Sequence, residues 1–100
     1  MQTEGNSDML TAFFSSAKRD ARLSPVHVSM YCVLYRYWCK NDFQNPILIT
    51  RRNVMKYAKI KSIVTYTKCI YQLNNYGYIM YLPSYNPATG STVYLTAPVA

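Results

Sequence analysis

The chain has 100 residues, half of them apolar and 15% aromatic, and a formal charge of +7. That is one domain's worth of sequence, with enough apolar material for a core that needs neither disulfides nor a structural metal. The charge disfavours basic partners and favours polyanions such as nucleic acid. Three cysteines, Cys32, Cys39 and Cys69, are an odd number without a C-x-x-C spacing, which reads as reduced thiols. His27 is the single histidine and lacks a ligand-spaced companion, so no zinc and no other metal or cofactor is expected. No apolar run has the length needed to span a bilayer, so no membrane partner and a cytoplasmic location are expected.

Residues 1–6 are polar and are expected to be disordered. Ser7 or Asp8 then caps a first helix over 8–21, in which Met9, Leu10, Phe13, Phe14, Ala17 and Ala21 form one apolar stripe. Two uses of that stripe stay open: packing on the chain's own core, or a homodimer interface. Ser24-Pro25 marks the start of the next helix, because Ser is a good N-cap and Pro lacks an N–H that the first turn does not need. This helix runs to about Lys40 and is apolar nearly all round (Val26, Met30, Tyr31, Val33, Leu34, Tyr37, Trp38), as a central core helix should be.

Residues 41–46 form a loop, and Ile47 to Ile49 a short strand. Thr50 caps a helix over Arg51 to Ala58, and a turn at 59–61 leads to Ser62. That serine caps a further helix from Ile63 to about Asn75, closed by Gly77. Strands over 78–85 and 91–96 flank a turn at 86–90, with Val93 and Leu95 sharing one face. Residues 97–100 are a tail.

Charge is distributed unevenly along this order. From Phe43 onward the chain has six basic residues (Arg51, Arg52, Lys56, Lys59, Lys61, Lys68) and no acid; Glu4, Asp8, Asp20 and Asp42 all precede it. In the last helix, a rotation of ~100° per residue turns Tyr66, Cys69, Ile70 and Leu73 inward. The same rotation turns Val64, Lys68 and Tyr71 outward, with Ser62, Thr65, Thr67 and Gln72 on the flanks. A short, polar, acid-free outer face suits the major groove of duplex DNA, which admits one helix while the preceding helix braces against the backbone. The expected groove contacts are Lys61, Ser62, Val64, Thr65, Thr67, Lys68 and Tyr71. The expected phosphate contacts are Arg51, Arg52, Lys56 and Lys59. Arg51 and Arg52 open a helix, where the macrodipole disfavours cations; phosphate contact or a coincidental solvent-facing pair would account for them.

The order helix, helix, short strand, helix, turn, helix, β-hairpin is that of a winged helix-turn-helix domain, a mainly α, α+β fold expected over 7–96. The run Val54 to Ile79 resembles the helix-turn-helix of bacterial winged-helix regulators through Ser62, Thr65-Tyr66, Leu73, Gly77 and Ile79. From about Arg22 to Leu95 the chain is similar to small winged-helix proteins of Bacteroidetes conjugative and integrative elements. The matching residues are Arg22-Leu23-Ser24-Pro25, His27, Ser29, Tyr31, Leu34, Trp38, Phe43 to Ile47, Thr65-Tyr66, Lys68-Cys69-Ile70 and Tyr85-Asn86-Pro87. The resemblance implies a winged-helix fold and DNA binding, but no operator or pathway; the expected job is transcriptional regulation or replication and transfer control for a mobile element. It supplies no catalytic residue. The expected wing departs from many DNA-reading wings in having no Lys or Arg between Ser84 and Ser91. Tyr85, Asn86, Thr89 and Ser91 are left to make weak sugar-phosphate contacts or none.

Blander readings stand beside these. Tyrosine is a good strand and amphipathic core residue, which suffices for Tyr31, Tyr35, Tyr37, Tyr66 and Tyr81; Tyr57, Tyr71 and Tyr85 stay open as nucleic-acid contacts. His27, in the first turn of the core helix, reads as a packed or capping group. No paired carboxylates, glycine-rich phosphate loop or activated nucleophile is legible, so no enzyme is expected. The rival class is a protein-interaction module in a replication or transfer complex, and a third reading is single-strand binding on the tyrosines.

Overall fold

The computed structural model of the chain describes residues 3–84 and 90–96. Four helices and three strands follow one another as α1 (Thr3–Arg19), α2 (Pro25–Lys40), β1 (Ile47–Ile49), α3 (Arg51–Ala58), α4 (Ile63–Asn75), β2 (Ile79–Leu82) and β3 (Ser91–Leu95). The architecture is α+β and mainly helical, with one antiparallel sheet in the order β1-β3-β2. No helix among the described residues is long and apolar enough to cross a membrane.

The first helix corrects two expected boundaries. It begins at Thr3, inside the stretch expected to be disordered, and ends at Arg19 rather than at residue 21. The early stop has a local cause. The Asp20 carboxylate accepts from the Arg22 backbone N–H and guanidinium, and the Leu23 N–H donates to the Asp20 carbonyl, which closes a turn. Phe13 is fully buried and stacks on Tyr31 of α2, ring centroids 3.8 Å apart and planes nearly parallel. The stripe therefore packs at least in part on its own chain, while Phe14 remains exposed.

Ser24 caps α2 as its sequence suggests, and His27 completes a reciprocal capping box from the third helical position. The His27 ring is buried. Its Nδ1 accepts the Ser24 N–H at 2.9 Å, which leaves Nε2–H to donate to Gln72 Oε1 of α4 at 2.7 Å. One side chain thus starts α2 and ties it to α4. Met30, Tyr31, Leu34 and Trp38 form the buried stripe of α2. At about 1.5–3 kcal/mol for each large apolar side chain, this stripe is a main source of cohesion.

The sheet lays Ile47, Ile49, Val93, Leu95 and Ile79 against the helices. Asn45 extends the β1 ladder with its side chain: Nδ2 donates to the Leu95 carbonyl and Oδ1 accepts the Leu95 N–H, each at 3.0 Å. On the opposite face, Leu48, Thr92 and Leu82 line up across the three strands, with Tyr94 and Met80 in the next row. Strand β2 is shorter than the expected 78–85. Tyr78 is taken up by the end of α4, and Pro83 has no N–H to continue a ladder.

Candidate functional site

Three hydrogen-bonded devices fix α3 and α4. Thr50 caps α3 and Ser62 caps α4, each hydroxyl accepting the backbone N–H three residues on. The last α3 carbonyl, Ala58 O, accepts the Ser29 hydroxyl of α2 at 2.8 Å, which sets where α3 ends. The turn out of α3 is left-handed at Lys59, φ 63°, a conformation that costs a residue with a Cβ about 1 kcal/mol and glycine almost nothing. At the far end, Gly77 (φ +89°) closes α4 in a Schellman motif: the Tyr78 N–H donates to Leu73 O and the Gly77 N–H to Asn74 O.

This frame presents α4 in the expected rotation. Tyr66, Cys69, Ile70 and Leu73 are buried, whereas Val64 (77% exposed), Lys68 and Tyr71 form an open crest. Two concavities flank the crest. The larger, about 770 Å³, lies between α4, the start of α3 and the base of the hairpin; Arg51, Arg52, Asn53, Lys56, Thr67, Tyr71, Ser84 and Ser91 line it. The smaller, about 410 Å³, lies at the α3–α4 turn and against the start of α2, with Lys59, Lys61, Ser62 and Thr65 among its walls.

The eleven expected groove and phosphate residues therefore fall into three sets about one helix. Arg51, Arg52, Lys56, Thr67 and Tyr71 share the larger concavity, Lys59, Lys61, Ser62 and Thr65 share the smaller, and Val64 and Lys68 stand on the crest. Thr65 is only half exposed, because it sits against the α2 side of α4. Tyr71 packs edge-on against Tyr81, ring centroids 5.2 Å apart, and so braces the wall as well as lining it. Of the residues expected to form a wing, Ser91 lines the larger concavity, and its hydroxyl accepts the Ser84 N–H at 3.2 Å. Tyr85, Asn86 and Thr89 lie outside the described residues.

The electrostatics are one-signed. All six cations from Arg51 to Lys68 are exposed, and among the described residues none of them makes an ion pair; the ion pair found there is Arg22–Asp20. Arg51 acts against the burial that pushes the Tyr66 phenol well above its ordinary range, and Lys68 acts likewise against the raised Cys69 thiol. The cationic field thus reaches the edge of the core. The cysteines are free thiols, and no cluster of three metal-ligating side chains occurs among the described residues.

Sequence reasoning missed Asn53, Ser84 and Gly90 as walls of the larger concavity. Gly90 had a partial signal as a turn residue. Its specific role is steric: a Cβ there would lie 2.6 Å from the Ile49 carbonyl oxygen, so the hairpin base can close on β1 only without a side chain. Comparison with protein-family models, curated proteins and solved structures gave no match.

Proposed function

We propose that the chain is a winged helix-turn-helix protein that binds duplex DNA with α4 in the major groove, and that it serves as a transcriptional or replication and transfer regulator of a mobile element. The observation that carries this reading is the α4 crest, flanked on both sides by concavities bearing cations that lack a carboxylate partner. A strand of phosphates on either side of an inserted helix needs that arrangement. In this pose Val64, Lys68 and Tyr71 face the groove floor, with Ser62, Thr65 and Thr67 toward its walls. Arg51, Arg52 and Lys56 hold one backbone, and Lys59 and Lys61 the other. Keeping a lysine at the left-handed turn position, where glycine is conformationally cheaper, fits a requirement for its charge.

The test is titration of labelled duplex DNA at several salt concentrations. If ~4–6 phosphates are neutralised, log K falls with log[salt] with a slope of roughly −4 to −5. Absence of binding at low salt, or a flat salt response, overturns the reading. Selection from a random duplex library then reports the sequence preference. It also tests for a homodimer, whose near-palindromic site would have half-sites ~34 Å apart.

A protein-interaction module is the second reading. The observation favouring it is the outer sheet face, where Leu48 (67%), Met80 (47%) and Leu82 (48%) are exposed with no charged residue among them. A nuclease-resistant partner together with no DNA affinity would favour it.

A further inference from the structure

A third concavity, about 630 Å³, lies between α2 and α3. Its volume is within the roughly 300–1,000 Å³ typical of ligand sites. Arg36 and Lys40, one turn apart on α2, supply two exposed cations, and neither makes an ion pair among the described residues. Tyr37 and Tyr57 supply two phenols, and burial first, with the neighbouring Tyr57 adding to it, raises that of Tyr37. Tyr57 is 61% exposed, which leaves its ring open to a ligand.

The concavity is joined to the proposed duplex surface. Asn53 lines both. Lys56, a wall of the duplex side, places its Nζ 5.8 Å from the Tyr57 ring centroid. An anionic chain leaving the α3 phosphate contacts would therefore meet exposed aromatic surface with cations beside it. Duplex DNA cannot use aromatic faces, because its bases are already stacked. An unpaired strand can, since every base has a π-face, and a cationic groove with aromatic platforms is the general solution for single strands.

We infer that the α2–α3 groove binds an unpaired DNA strand continuing from the duplex held by α4, with a base on Tyr57 and phosphates on Arg36 and Lys40. The inference rests on the duplex reading above and narrows it: the preferred ligand is a junction between paired and unpaired DNA.

The test uses the full chain and fluorescein-labelled blunt duplex, the same duplex with a short unpaired tail on either end of either strand, and the tail alone. One tailed duplex should bind roughly tenfold tighter than the blunt one. Tyr57→Ala should erase that gain and leave blunt-duplex affinity within about twofold, while Tyr57→Phe, which keeps the stacking face, should preserve it. Arg36→Ala with Lys40→Ala should lower the salt slope on the tailed duplex by about 1.4, at ~0.7 for each single-strand phosphate. Equal affinity for blunt and tailed duplexes overturns the inference and leaves the duplex reading standing. Binding to the tail but not the duplex overturns the duplex reading instead, and binding to neither overturns both.

Discussion

Arg22, in the acid-bearing first part of the chain, and the six cations of the acid-free remainder are used in opposite ways. Arg22 has both kinds of partner a guanidinium can take. It holds Asp20 through two bonds of 2.8 Å and lies 4.0 Å over the Tyr76 ring, while Asp20 also accepts the Tyr78 hydroxyl at 2.8 Å. That cluster ties the α1–α2 turn to the end of α4. The six cations from Arg51 to Lys68 make no ion pair among the described residues. Charge consumed within the fold is matched, and charge left unmatched around one helix is available to something outside it.

The contrast breaks most visibly if the unmatched cations turn out to be structural. Replacing Arg51, Arg52 and Lys56 together by alanine should weaken duplex binding about a hundredfold and lower the salt slope by about 2.7, at ~0.9 per phosphate. Chemical denaturation should meanwhile show less than about 0.5 kcal/mol of change for each surface substitution. A large loss of stability would assign those residues to the fold.

Gly90 should behave the other way. Gly90→Ala forces a methyl group against Ile49 O and should cost about 2–3 kcal/mol in urea unfolding. The salt slope of any remaining binding should not change, because no phosphate contact is removed.

The matched cluster should show itself through pH. Arg22 holds the Asp20 carboxyl well below the usual carboxylate range, outweighing the opposing effect of burial, with the Tyr78 hydroxyl helping. Its contribution is therefore fully present above about pH 4, the unfolded value, and is lost as pH falls through the folded value. Asp20→Asn should lower stability at neutral pH and shrink the acid limb of a stability–pH curve. Tyr78 has the opposite sign. Burial, then the bond to Asp20, pushes its phenol up to about 12, so the folded state keeps a proton that the unfolded chain loses. Stability should fall from about pH 10 upward, and Tyr78→Phe should flatten that alkaline limb at a neutral-pH cost of about 1.5 kcal/mol.

The smallest effect is expected from removing the Tyr31 hydroxyl alone. Its hydroxyl is buried without a hydrogen-bond partner among the described residues, while its ring carries the stack with Phe13. Tyr31→Phe should be neutral or stabilising by up to about 1 kcal/mol. Tyr31→Ala should unmoor α1, seen as a loss of helical circular dichroism.

Local chemistry made much of this molecule readable in advance. The caps at Ser24, Thr50 and Ser62 act within three residues, and the inside and outside of α4 follow from helical rotation alone. The sorting of cations into two concavities was not readable, because it depends on the angle of α3. That angle depends on Ser29 reaching Ala58 O and on a left-handed lysine that no periodicity announces. The remaining ties join distant residues: His27 to Gln72 across 45 positions, Asn45 to Leu95 across 50, and Asp20 to Tyr78 across 58. Each of these polar residues reads in sequence as a cap, a loop or a surface group until its partner is known.

The placement of β3 between its two neighbours bears on how the protein behaves when concentrated. The exposed rims of the sheet are β1, three residues long and preceded by Pro46, and β2, four residues long and followed by Pro83. Proline offers no N–H, and segments this short give an incoming strand few bonds to copy. Edge-to-edge fibril growth therefore has little purchase on this chain, even with valine, isoleucine and tyrosine so abundant in its second half.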